Sequence, residues 1–130
     1  MEFPSHLKYT KEHEWAKEKE GEITIGITAY AQEELGDIVF LELPAPGAEV
    51  TRGKTFGVVE SVKAVSDLYS PVSGKVVRVN DTLLDAPEKV NTDPFGDGWM
   101  IVVKAADAGE PDSLLSAADY AAFVAAEKEK

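Results

Sequence analysis

The side chain most open to chemistry in this chain is Lys63, in the stretch GVVESVKAVSDLYSPVSGKV from Gly57 to Val76. Runs rich in β-branched and aromatic residues flank it, Thr55 to Val59 and Val65 to Tyr69, and read as two strands joined by a hairpin. The lysine then stands near the tip of a turn, displayed and not buried. Its neighbours Val62 and Ala64 are small and apolar. A covalent modifying enzyme can reach such an amine. Alone, a lysine on a hairpin tip serves equally well as a solvated charge that keeps the turn soluble.

Other reactive groups are few. A cluster of polar and aromatic residues, Tyr9-Thr10-Lys11-Glu12-His13-Glu14-Trp15, has one histidine between carboxylates, short of the convergent ligand set that zinc or iron requires. Its plain reading is structural: Trp15 opens a strand and enters the core, with His13 and Glu14 beside it. His6 and His13 are the only histidines, no serine lies in a nucleophile-elbow context, and acidic pairs are too common in so acidic a chain to indicate catalysis. Cysteine is absent, which excludes disulfides, thiolate metal sites and a cysteine nucleophile, so any sulfur chemistry must arrive on a cofactor.

The elements that must position Lys63 can be read along the chain. A charged turn, Lys17 to Gly21, precedes a strand from Glu22 to Thr28 with Ile23, Ile25 and Ile27 on the core face. Thr28 caps a short helix from Ala29 to Leu35, which Gly36 ends. Asp37 to Leu43 is again extended, and Pro44, Pro46 and Gly47 turn the chain towards Val50, Gly53 and the lysine hairpin. Ser70 to Gly74 makes the next reversal, with Gly74 in a backbone conformation costly for other residues, and Lys75 to Val79 forms a strand. Asn80 to Asp97, rich in breakers, is expected to wrap the surface as an irregular loop. Trp99 to Val103 returns as a strand. Ser116 caps a final helix, with Asp119 at the third helical position and Leu115 placed to staple against Tyr120. Tyr120, Phe123 and Val124 form its packing stripe, and Glu127 to Lys130 should fray.

The 130 residues suit one domain able to bury a core without metals or crosslinks. With 24 acidic against 13 basic side chains the formal net charge is −11, a surface that repels phosphate backbones and anionic lipid and favours basic patches on partner proteins. No apolar stretch is long enough to span a bilayer. The N-terminus has neither a signal-type apolar run nor arginine-rich transit character, so a cytoplasmic protein is expected, or a mitochondrial matrix protein after processing.

The frame around the lysine, Val50, Gly53, Phe56, Gly57, Val59, Glu60 and Ser61 before it and Ser70, Pro71, Val72, Gly74 and Val76 after it, resembles that of lipoyl and biotinyl carrier domains. The biotinyl branch brackets its lysine with methionines, and Val62 and Ala64 therefore point to lipoyl. The Tyr9 to Trp15 cluster and NTDPFGDGW, Asn91 to Trp99, extend the resemblance to the glycine cleavage system H proteins over about Leu7 to Val124. The resemblance implies a mainly β fold, a flattened barrel-sandwich with a short helix after the second strand and a C-terminal helix. The whole chain, 1–130, would be one carrier domain with its core at about 15–104 and the helix at about 117–126.

It also implies a non-catalytic shuttle bearing lipoate on Lys63. The shuttle would carry the aminomethyl group of glycine from glycine decarboxylase, the P protein, to aminomethyltransferase, the T protein. Dihydrolipoamide dehydrogenase, the L protein, would reoxidise it, and a lipoate ligase or lipoyltransferase would attach the arm. A monomer is expected. Glu60, Ser61, Val62 and Ala64 would mark the turn for the lipoylating enzyme, Glu60 as a recognition contact and not a general base. Glu14, Asp67 and more loosely Glu12 match acidic positions that would hold the loaded arm. The bland alternative for all three is a solvated carboxylate. An H-like lipoyl carrier of another pathway, such as sulfur oxidation or lipoate relay, and an unmodified interaction domain are the competing readings.

Overall fold

The computed structural model describes residues 2–107 and 109–129, so the expected fraying of Lys130 lies outside it. A two-residue strand, β1 (Lys8–Tyr9), pairs antiparallel with β2 (Glu14–Lys19), which pairs in turn with β3 (Glu22–Ile27). Here β2 runs into the stretch expected to be turn. The apolar run of β3 reaches back to Ile23 and keeps its partner extended, Lys17 opposite Thr24 and Lys19 opposite Glu22. Only Glu20 and Gly21 turn, both at positive φ.

Thr28 caps α1 (Ala29–Leu35), its hydroxyl accepting from the Ala31 amide at 3.2 Å, and Gly36 ends the helix at φ 82°. This helix follows the third strand, because β1 precedes the two that the alternation marked. Next come β4 (Ile38–Glu42), the short β5 (Glu49–Val50), and the hairpin of β6 (Thr55–Ser61) and β7 (Val65–Tyr69). After β8 (Gly74–Val79) the segment expected to be irregular contains two single-turn helices, α2 (Thr82–Asp85) and α3 (Lys89–Thr92). Each buries one side chain completely, Leu83 and Val90. Four residues are too few for a helical period to stand out, which is why the breakers dominated the reading of the sequence.

The last strand, β9, spans Ile101–Ala105 and so begins two residues later than expected; a 3₁₀ turn (Glu110–Ser113) then leads to α4 (Ala117–Lys128). Ser116 caps α4 by accepting from the Asp119 amide at 3.1 Å. Helix continues through Glu127, where fraying was expected, and Glu127 lies 3.2 Å from His13 Nε2.

The strands form a six-stranded sheet in the order β1-β2-β3-β9-β8-β5 and a three-stranded sheet in the order β4-β6-β7. One hydrophobic cluster joins them, with Ile23, Ile25, Ile27, Val76 and Ile101 from the first and Ile38, Leu41, Val59 and Leu68 from the second. This is a sandwich of antiparallel sheets, each turning its apolar alternate residues inward. Leu7, Tyr9, Trp15, Tyr30, Tyr120 and Val124 form a second cluster, with the Tyr9 and Tyr120 rings stacked at 4.7 Å. Trp15 enters this cluster and not the inter-sheet core, and its indole Nε1 donates to the Pro94 carbonyl at 2.9 Å. Leu115 packs with the same group, as the staple requires.

Candidate functional site

The hairpin tip is built by Ser61. Its amide donates to the Ala64 carbonyl at 2.8 Å, and its hydroxyl oxygen accepts from the amides of Ala64 at 3.0 Å and Lys63 at 3.3 Å. A serine accepting from amides two and three residues on fixes a compact turn without help from solvent. The Val62 amide donates to the Asp37 carbonyl at 3.0 Å, which ties the tip to the segment leading into β4. Val62, Lys63, Ala64 and Val65 are all exposed, and Lys63 makes no ion pair among the described residues. Its side-chain methylenes run beside Gly36: a Cβ built there would lie 3.4 Å from Lys63 Cε.

The segment that holds Val62 is itself held by Asn91 in α3. The Asn91 amide group donates to the Gly36 carbonyl at 2.9 Å and to Gln32 Oε1 at 3.0 Å, and its oxygen accepts from the Ile38 amide at 2.8 Å. A three-bond clamp of this kind gives the tip a rigid mount. Asn91 opens the NTDPFGDGW stretch, but nothing in the sequence told a clamp from a solvated loop residue. Its partners lie 53 to 59 positions away.

Glu14 is 2 % exposed, contrary to the reading of a solvated strand end. One carboxylate oxygen accepts from the Thr10 hydroxyl at 2.8 Å and the other from the Tyr69 amide at 3.2 Å, on the outer strand of the small sheet. Burial pushes its carboxyl up to about 8, against the lowering effect of the Thr10 and Tyr69 hydrogen bonds. Thr10 belongs to the Tyr9 to Trp15 cluster, and its four-residue spacing from Glu14 is the one signal of this bond in the sequence. Asp67 is exposed on β7, two residues from Tyr69, so the fold brings Glu14 and Asp67 to one strand from positions far apart in sequence. Glu12 is exposed and lines a cleft of about 250 Å³ with Thr10, Arg52 and Ser70. Lys63 stands at the opposite end of the hairpin from this group, since Glu60 pairs with Val65 near the tip and Thr55 with Tyr69 at the base.

The loop that carries these acids is fastened by α4. His13 adopts φ 74°, a left-handed conformation uncommon without glycine, and its Nδ1 lies 2.8 Å from the Tyr120 hydroxyl. That hydroxyl is also 2.8 Å from Thr28 Oγ1. Burial lowers the His13 pKa, while Glu127 acts in the opposite direction. The C-terminal helix thus positions Glu14 through the residue before it.

Two packed sheets with a rigid hairpin that presents an exposed lysine at one end define a lipoyl-type carrier domain, a barrel-sandwich of mainly β structure. A crystal structure of a glycine cleavage system H protein from Mycobacterium marinum superposes with a TM-score of 0.88 at 40 % identity, covering 95 % of this chain and 99 % of that one. The family described as Glycine cleavage H-protein matches residues 7–127, and the chain belongs to it. Curated relatives bearing the name glycine cleavage system H protein include those of Anaeromyxobacter sp. (strain K), 54 % identical over 124 residues, and Geobacillus kaustophilus, 57 % identical over 124 residues. These alignments cover 95 % of this chain and 97 % and 98 % of the relatives.

Proposed function

We infer that the chain is the lipoyl-carrying shuttle of the glycine cleavage system, a non-catalytic subunit that moves the aminomethyl group of glycine from the decarboxylase to the aminomethyltransferase. The observation that carries this reading is the family membership over nearly the whole chain, together with an exposed Lys63, without an ion pair among the described residues, on a clamped turn. The residues fit the group: the amine is accessible, its neighbours are small, and the tip is fixed by Ser61 and Asp37. Lipoate in amide linkage on Lys63 supplies a dithiolane whose sulfur takes up the one-carbon unit and which dihydrolipoamide dehydrogenase restores. Lipoate ligase or lipoyltransferase is the attaching enzyme, with Glu60, Ser61, Val62 and Ala64 as the turn it recognises.

Lysine plus lipoyl chain makes a tether of about ten single bonds, each roughly 1.5 Å. The four steps from Val65 to Tyr69 cover about 14 Å at a strand rise of about 3.4 Å. A folded-back arm therefore reaches Asp67 and the Tyr69 edge where Glu14 sits. There Glu14 and Asp67 offer acceptors to a cationic amine, and Glu12 adds negative charge at the neighbouring cleft. The burial of Glu14 excludes water from that end. The same surface works without a nucleophile of its own.

The test is a partner assay. Lipoylated protein, mixed with purified glycine decarboxylase and labelled bicarbonate, should support exchange of label into the glycine carboxyl group. No exchange with fully lipoylated protein and an active decarboxylase would move the carrier to another lipoyl-dependent pathway.

A further inference from the structure

The strand beside the hairpin breaks alternation next to Lys63. Ile38 pairs with Ser61 and Phe40 with Glu60, so a bulge at Val39 places one extra residue in β4. Two successive side chains consequently face outward, Val39 at 53 % and Phe40 at 49 % exposure, between the buried Ile38 and Leu41. Phe40, Glu60 and Val65 form one row across the three strands, and directly opposed residues share a face of the sheet. With Val62 at 69 % and Val65 at 67 % exposure, these side chains make an apolar platform around the lysine. Asp37, Glu42, Glu60 and Asp67 surround it, and β4, β6 and β7 contain no lysine or arginine.

We propose that this platform, with Val39 and Phe40 as its new members, is the docking face for the enzyme that acylates Lys63, and that the enzyme meets it with an apolar centre rimmed by lysine and arginine. The proposal rests on the carrier reading given above. Two arguments select the occupant. The Nζ–C amide bond forms as the acyl–oxygen bond of an acyl adenylate breaks; AMP leaves with that electron pair, and Nζ gives up two protons to solvent, one as the ammonium becomes the free amine and one as the amide forms. An enzyme holding that reaction must close around Nζ and so must touch whatever flanks the tip, whereas enzymes acting on the far end of the arm work at a distance of about ten further bonds. Charge complementarity selects the rim, because the acids around the platform favour a basic counterpart. Bulges beside functional residues re-aim side chains, and this one turns outward a Phe that regular alternation would send to the opposite face from Val39.

The experiment uses the unmodified full chain, purified lipoate ligase, ATP and lipoate. Val39→Ser with Phe40→Ser should raise the KM for the carrier at least about tenfold with kcat little changed, as for loss of a central interface contact. Phe40→Lys should do the same through charge, and the two variants guard against a fold defect in either one. Melting temperature and acylation of Lys63 by a small activated ester should match wild type. An unchanged KM in folded variants overturns the proposal. If the defect instead falls only on dehydrogenase or decarboxylase turnover of chemically lipoylated variants, the face belongs to a later enzyme and the proposal is equally overturned. Wild-type protein that accepts no lipoate on Lys63 would refute the carrier reading itself, a distinct result.

Discussion

The acid on β7, Asp67, and the acid of β2 bonded to that strand, Glu14 against the Tyr69 amide, differ in kind. Asp67 is exposed, whereas Glu14 is buried and keeps its proton up to about pH 8 in the folded chain, against a usual value of 4.5. A raised folded-state value means that the native state binds the extra proton, so this stabilisation is complete below about 4.5 and is lost as the pH rises towards 8. Glu14→Gln, neutral at every pH, should remove that slope: in urea titrations wild type should lose stability relative to the variant across this window, and parallel curves would contradict the burial argument. Under the functional reading, Glu14→Gln with Asp67→Asn should leave lipoylation and reoxidation intact. Release of formaldehyde and ammonia from the loaded carrier, without transferase, should then quicken by roughly tenfold at most, since the charge removed is that of the exposed Asp67, where solvent weakens a charge-assisted hydrogen bond, and protonated Glu14 contributes a neutral acceptor. Identical release rates would return both residues to a surface role. At this scale Lys63 and its turn were legible because hairpin composition is local. The burial of Glu14 was not, since it depends on Tyr69 arriving from 55 positions away.

Among the elements, every strand and helix with a strong period was readable in advance, and α1 was marked with its cap and terminator in place. Short pieces without a period were not: β1, β5, α2 and α3 exist because tertiary contacts hold them. Gly74 needed glycine for a different reason from the one expected. It is absent from the positive-φ residues, and a Cβ there would collide with the Lys104 carbonyl of β9 and approach Val103 Cγ1 at 2.7 Å. Gly74→Val should therefore cost several kcal/mol by forcing β8 from β9, as overpacking against backbone does, and an unchanged melting temperature would refute this. Asn91→Ala tests the clamp. It leaves the Ile38 amide and Gly36 carbonyl without their partner and should cost roughly 1–3 kcal/mol while slowing lipoylation, because Val62 and the tip lose their mount. Loss of stability with unaltered lipoylation kinetics would separate the clamp from the site.

For the molecule as a whole, the two hydrophobic clusters divide the labour. The inter-sheet core holds the hairpin out as a fixed mast, and the aromatic cluster under α4 fixes the His13 loop that carries Glu14. The mainly β class and a C-terminal packing helix followed from alternation and capping, but the joining of the N-terminal cluster to that helix, Tyr9 stacked on Tyr120, is a contact between the two ends of the chain that no local pattern encodes. Under the carrier reading, this arrangement displays one amine. The most direct measurement is peptide-level mass spectrometry of protein expressed in a host able to lipoylate it, beside a Lys63→Arg variant that keeps the charge and the fold. Lipoate confined to Lys63 in wild type, and absent from the folded variant, is the result expected. Lipoate on Lys54, Lys75 or another lysine, or an arm still attached in Lys63→Arg, would contradict the account.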